Sequence, residues 1–128
     1  MKILMVDDEP DAKLLFQQNF RREIRKDVYE FLYAHSGDEA LQTLEAVDLP
    51  DVLVMLSDIN MPGMSGVELL EIVKGRWPEL PVMMITAYGD PGTEESVKQK
   101  GAKDLVPKPV DFAHLRAELQ HMSESSQA

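Results

Sequence analysis

Short, nearly unbroken apolar runs alternate along the chain with stretches whose apolar residues recur every three to four positions. The runs at Lys2 to Val6, Val28 to Ala34, Val52 to Ser57, Val82 to Thr86 and Asp104 to Val106 read as five strands. The first and third are almost wholly apolar, as parallel strands covered on both faces must be, and belong at the centre of a sheet. The second mixes Tyr29, Phe31 and Tyr33 with Glu30 and Leu32 and suits an edge with a partly wet face. The fifth is short and stopped by Pro107, a residue that sheets admit mainly at edges. Between the strands, Ala12, Leu15, Phe16, Phe20 and Ile24 predict one first helix from about Asp11 to Arg25, its apolar stripe toward the sheet. Ser36 with Glu39, and Ser65 with Glu68, have the spacing of capping boxes and predict the starts of helices two and three. Helix three is expected to stop at Gly75, helix four to run from about Pro91 to Lys100, and helix five to begin behind Asp111. The β-α unit occurs five times, which predicts an α/β fold with a parallel sheet between two helical layers.

Composition narrows this picture. A chain of 128 residues, 44% hydrophobic and 28% charged, supports one domain, expected over residues 1–122, with the polar 123–128 a frayed tail or the start of a linker. Thirteen Lys and Arg against 23 Asp and Glu give a net charge of -10, which disfavours nucleic acid and anionic membrane as partners. The densest basic stretch, Arg21 to Lys26, is interrupted by Glu23 and Ile24 and reads as cations complementing a helix C-terminus. There is no cysteine for a disulfide or a thiolate metal site, no apolar run near the roughly 20 residues that span a bilayer, and no signal-like opening, so a cytoplasmic location is expected. The eight methionines read as core filling.

Open parallel sheets bind ligands beyond the carboxyl ends of their strands. Here those ends carry Asp7, Asp8 and Glu9 after strand one, Asp58 after Ser57, Thr86-Ala87 after strand four, and Lys108-Pro109 after strand five. Singly, each has a plainer role: a helix cap or Asx turn for the acids, a strand-ending residue for Thr86, surface charge for Lys108. Glu9 keeps that plainer role. The other five, Asp7, Asp8, Asp58, Thr86 and Lys108, at one sheet end make a site. Two like charges about 4 Å apart repel by roughly 4 kcal/mol at an effective dielectric near 20, so the acids call for a cation. Hard oxygen donors without His or Cys select Mg²⁺ or a similar ion such as Mn²⁺, which commonly shares its shell with phosphate. Asp58 is then the natural nucleophile, because a carboxylate attacking phosphorus gives an acyl phosphate.

These residues resemble the receiver domain of two-component response regulators. The likeness runs from Ile3 to about His121 and is carried by Val6-Asp7-Asp8-Glu9-Pro10, Asp58-Ile59-Asn60-Met61-Pro62-Gly63-Met64-Ser65-Gly66, Thr86-Ala87 and Lys108-Pro109. It implies a flavodoxin-like doubly wound sheet of order 2-1-3-4-5, with Asp58 the phosphoacceptor. Asp7 and Asp8 would hold Mg²⁺ together with Asp58 and the backbone carbonyl of Asn60, and Thr86 and Lys108 would sense the phosphoryl group. It also implies a cis Lys108-Pro109 bond, and tuning of switching and lifetime by Ala87, Tyr88 and Leu105. The expected partners are a sensor histidine kinase or phosphotransfer protein. A homodimer or output domain would meet the face of helix four, strand five and helix five, and no nucleic acid or membrane contact is implied. Such a domain modifies itself and is not an enzyme in the usual sense. Two alternatives share the chemistry or the fold: a Mg²⁺-dependent phosphohydrolase, for which Asn60 supplies no general acid, and a flavin carrier, for which the loop after strand one lacks a phosphate cradle. The chain departs from the common pattern at Leu105, where an aromatic is usual. It also departs in Asp51 to Asp58, two residues longer than usual, which predicts a longer loop into strand three.

Overall fold

The computed structural model describes residues 1–87 and 91–127. Its elements are β1 (Lys2–Val6), α1 (Pro10–Asn19), α2 (Arg21–Arg25), β2 (Glu30–Ala34), α3 (Gly37–Ala46), a 3-10 turn at Leu49–Asp51, β3 (Val52–Asp58), α4 (Gly66–Arg76), β4 (Val82–Thr86), α5 (Pro91–Gln99), β5 (Asp104–Pro107) and α6 (Phe112–Gln127). All strand pairings are parallel and the order is β2-β1-β3-β4-β5, so the two expected edges are the edges.

Alternation along the strands feeds two cores. In β1, Leu4 and Val6 face the layer that holds Leu44, Leu69, Leu70, Val73 and Val97, while Ile3 and Met5 face the layer of Phe16, Phe20, Leu115 and Leu119. Met5, Met55, Met61, Met83, Met84 and Met122 are buried and Met64 packs against the core, which is the filling expected of the methionines, but Met1 is exposed. The serine caps form as predicted: the Ser36 and Ser65 hydroxyls accept from the amides of Glu39 and Glu68 at 3.1 and 3.2 Å.

The first helix differs from its prediction. It breaks at Phe20, whose backbone leaves helical geometry, and α2 follows as a separate short helix. Phe20 is fully buried among Phe16, Phe31 and Phe112. Arg116 of α6 reaches over its ring, donates to the Asn19 carbonyl and bonds Glu23 at 3.0 Å. A guanidinium from a distant element thus satisfies a carbonyl that the helix leaves free at the break. Leu15, expected on the sheet-facing stripe, is instead 50% exposed, beside Leu14 at 56%.

One of the two extra residues before Asp58 lies inside β3 rather than in the loop that leads into it. The β1–β3 register runs from Lys2 opposite Val52 to Ile3 opposite Val54, a bulge that inserts Leu53. Leu53 and Val54 both enter the α1–α6 core, so the insertion lies inside a seven-residue, wholly buried strand. Helix three ends one residue later than expected, at Arg76, and the 123–127 segment continues α6 as helix.

Candidate acidic site at the carboxyl end of the sheet

The register places the functional residues at one end of the sheet. Asp58 closes β3 opposite Ile85, Thr86 closes β4 opposite Pro107, and Lys108 follows directly, its amide donating to the Thr86 carbonyl at 2.9 Å. Asp7 continues from β1, its amide donating a hydrogen bond to the Ala34 carbonyl at 3.0 Å. Carboxylate oxygens of Asp7, Asp8 and Asp58 lie within 4.8 Å of one another, the one such acidic group among the described residues. Asp7 and Asp58 are 5% and 4% exposed, which makes their mutual repulsion poorly screened.

One cation answers them. The Lys108 ammonium lies 3.1 Å from Asp58 Oδ2 and 3.8 Å from Asp7 Oδ2. Backbone amides hold the other oxygens: Glu9 donates to Asp7 Oδ1 at 2.9 Å and Asn60 to Asp58 Oδ1 at 3.4 Å. Burial, the largest influence on Asp7, pushes its carboxyl above the usual carboxylate range. The Glu9 amide opposes this, Asp58 reinforces it, and Lys108 and Glu9 act in opposite senses behind them. Burial alone would lower the Lys108 ammonium, but its bond to Asp58, with Asp7 and Glu9 beyond, holds it above the ordinary lysine value. The donor set is all oxygen, as Mg²⁺ or Mn²⁺ requires, and three acids facing one lysine leave negative charge for such an ion to neutralise.

The structure brings together Asp7, Asp8, Asp58, Thr86 and Lys108, with Asn60 and Ala87 flanking them and Leu105 on β5. Thr86 is buried and Ala87 exposed. The Lys108-Pro109 bond is cis, as the resemblance implied. Tyr88 lies outside the described residues. Two contributors had no assigned role in the sequence. The Glu9 amide orients Asp7, a service that Asp-x-Glu at a helix start could have signalled. Gly66 opens α4 so close to the site that a Cβ there would overlap the Asp58 carbonyl oxygen and stand 2.8 Å from the Ile59 Cα, and its amide donates to the Ile59 carbonyl at 2.9 Å. No side chain fits at that approach, which accounts for the glycine after the Ser65 cap.

Comparison with known proteins agrees with this geometry. The DNA-binding transcriptional regulator NtrC of Escherichia coli is 44% identical over 96 residues, 72% of this chain and 20% of its own length. The response regulator PilR of Pseudomonas aeruginosa is 38% identical over 117 residues, 90% of this chain and 24% of its own. The chain therefore spans less than a quarter of either relative. Among solved structures, the response regulator TrrA of Thermotoga maritima, in complex with Mg²⁺-BeF, superposes with a TM-score of 0.77 at 26% identity, covering 94% of this chain and 97% of that one. A family profile for the response regulator receiver domain matches residues 3–120, a span that holds every residue of the acidic site, and the chain belongs to that family of two-component receivers.

Proposed function

We propose that Asp58 accepts a phosphoryl group from a phosphohistidine on a sensor histidine kinase or phosphotransfer protein, with Mg²⁺ held by Asp7, Asp8, Asp58 and the Asn60 carbonyl. The observation that carries this reading is the ion pair of Lys108 with Asp58 at the centre of three buried or half-buried carboxylates. A carboxylate oxygen of Asp58 bonds to phosphorus as the phosphorus–nitrogen bond breaks and the imidazole leaves with the electron pair. Hydrolysis by water later returns the carboxylate and inorganic phosphate. Mg²⁺, when bound, offsets the charge of the acids and the phosphoryl oxygens. Lys108 shifts its ammonium from Asp58 toward the new phosphoryl oxygens, and the Thr86 hydroxyl follows it. TrrA, solved with Mg²⁺-BeF, supports the metal and phosphoryl assignments by likeness.

The protein on this reading is a signalling switch of the cytoplasm that modifies itself, with no turnover of an outside substrate. The face of α5, β5 and α6 controls a homodimer partner or an output domain of the kind that longer relatives have room for. Intact mass after incubation with Mg²⁺ and acetyl phosphate tests the assignment. Wild type gains one phosphoryl group, Asp58→Asn gains none, and Asp7→Ala or Asp8→Ala gains it more slowly. An equal gain in Asp58→Asn removes Asp58 as acceptor.

A further inference from the structure

Four exposed cations stand together on α2 and at its end, and phosphoryl transfer as described gives them no role. Among the described residues, the side chains of Arg21, Arg22, Arg25 and Lys26 have no ion pair or hydrogen bond. Exposed cations elsewhere have found acids: Arg76 bonds Glu45, Lys98 bonds Glu94 and Lys100 bonds Glu71, at 2.8 to 3.1 Å. Glu23, the one acid inside the basic run, is turned instead to Arg116 of α6 at 3.0 Å. Asp27, next along the chain, lines a different depression with Lys2 and Glu30. Arg21 and Arg25, and likewise Arg22 and Lys26, are one helical turn apart, the spacing at which like charges repel. A helix C-terminus explains Arg25 and Lys26 but not the first two, because the carbonyl freed where α1 ends is already met by Arg116.

With Arg116, these four line an open depression of about 790 Å³. Five of the 13 Lys and Arg of a chain of net charge -10 therefore meet at one place. Arg116 is fixed there by Glu23, by the Asn19 carbonyl and by the Phe20 ring, so part of the lining is rigid before any ligand arrives. Guanidinium groups grip carboxylates through two parallel hydrogen bonds, and four of the five cations are arginine. We propose that the depression docks a carboxylate-rich segment of a partner protein, a short run of Asp and Glu. Charge around the depression favours a short segment over an extended polyanion. Screening confines each charge to about 8 Å at physiological salt, so a short run meets the cations while a DNA duplex or an anionic membrane also meets the surrounding acids. The ten residues of α1, about 15 Å of helix, separate this place from Asp8 and the acidic site, so docking and phosphoryl transfer use different surfaces.

Titration of isotope-labelled protein with an octaglutamate peptide, followed by NMR amide shifts, reads affinity and place together. Shifts should gather at Arg21 to Lys26 and at Arg116, and the Kd should rise at least about threefold between about 50 and about 200 mM NaCl. Arg21→Gln with Arg25→Gln should weaken binding about tenfold with the Tm no lower than wild type, since the two repel each other and hold nothing else. Lys98→Gln with Lys100→Gln removes the same charge elsewhere and should change the Kd less than about twofold. Absence of shifts in wild type at millimolar peptide, shifts gathered elsewhere, or equal weakening by both double variants overturns the proposal. A Tm lowered by Arg21→Gln with Arg25→Gln would make the arginines structural and overturns it as well. Tighter binding of a DNA duplex or of phosphatidylserine vesicles than of the peptide overturns the choice of an acidic protein segment.

Discussion

At the scale of single residues, the site is a balance of charges. Three acids and one lysine leave the metal-free pocket with more negative charge than Lys108 can answer. Asp58→Asn removes one repelling charge while Asp7 keeps Lys108 partly paired. It is expected to raise the metal-free Tm by a few degrees, a change on the order of 1 kcal/mol, and to shrink the further rise that Mg²⁺ gives wild type. A Tm lowered by the substitution, with no Mg²⁺ effect in wild type, would show the acids already compensated. Asp7 adds a pH dependence of definite sign. Its folded-state carboxyl lies above 3.8 because of burial, so as pH rises the unfolded chain loses this proton first. The metal-free fold therefore loses stability as pH climbs from about 3.8 through the raised value, and Mg²⁺ competes with the same proton. The Tm gain from Mg²⁺ should grow with pH across that window. Melting curves with and without Mg²⁺ from about pH 4 to 7 check it, and a gain that is flat with pH would remove Asp7 from the metal site.

At the scale of elements, α1 and α4 do different work around the same acids. α4 starts against the Asp58 backbone, and Gly66→Ala would force its first turn away. The expected cost is about 1–3 kcal/mol, with slower phosphorylation because Asp58 moves with it. Denaturant unfolding and the acetyl phosphate assay read both. α1 presents Leu14 and Leu15 to solvent, and Leu15, with Phe16, Phe112 and Pro109, walls a 270 Å³ cavity that reaches Lys108. If Asp58 accepts a phosphoryl group as proposed, exposed leucines on the helix that borders the Lys108 cavity would suit docking of the donor protein. Leu14→Ser with Leu15→Ser should cut transfer from a phosphohistidine protein at least tenfold and leave acetyl phosphate transfer intact; equal loss from both donors would make the leucines structural. The exposed stripe also marks where periodicity misleads. Leu15 lies within the helical repeat that ends in Ile24, and the repeat passes through Phe20 unbroken. The break comes from Arg116, 96 positions later, so no local pattern announces it. The bulge at Leu53 is equally silent, because Leu53 and Val54 are both apolar and either could face either core. The serine caps, by contrast, act within one turn and were legible.

At the scale of the whole molecule, the meeting of Asp7, Asp8, Asp58, Thr86 and Lys108 was legible because parallel strands put all their carboxyl ends on one side, and the sheet order because the apolar first and third strands belong at the centre and the family resemblance implies the rest. The same wiring constrains how a phosphoryl signal leaves. Thr86 ends β4, and its carbonyl holds the Lys108 amide, so a movement of the threonine toward a phosphoryl group, on the proposed reading, would act on β4 and β5 together. Leu105, at the position where the family often has an aromatic ring, is half-buried against the core that includes Val97 of α5. It has no polar tip to hold it in solvent, so it is not expected to swing between states as an amphipathic ring would. Half-burial sets the expected cost of Leu105→Ala at about 1–2 kcal/mol, below that of a fully buried leucine, with phosphorylation-dependent shifts kept. Amide exchange with and without Mg²⁺ and fluoroberyllate locates the change. Protection should alter in α5 and at the end of β4, and little at Leu105. The reverse pattern, strong change at Leu105 with α5 silent, would place the switch on β5 and make the leucine its moving part.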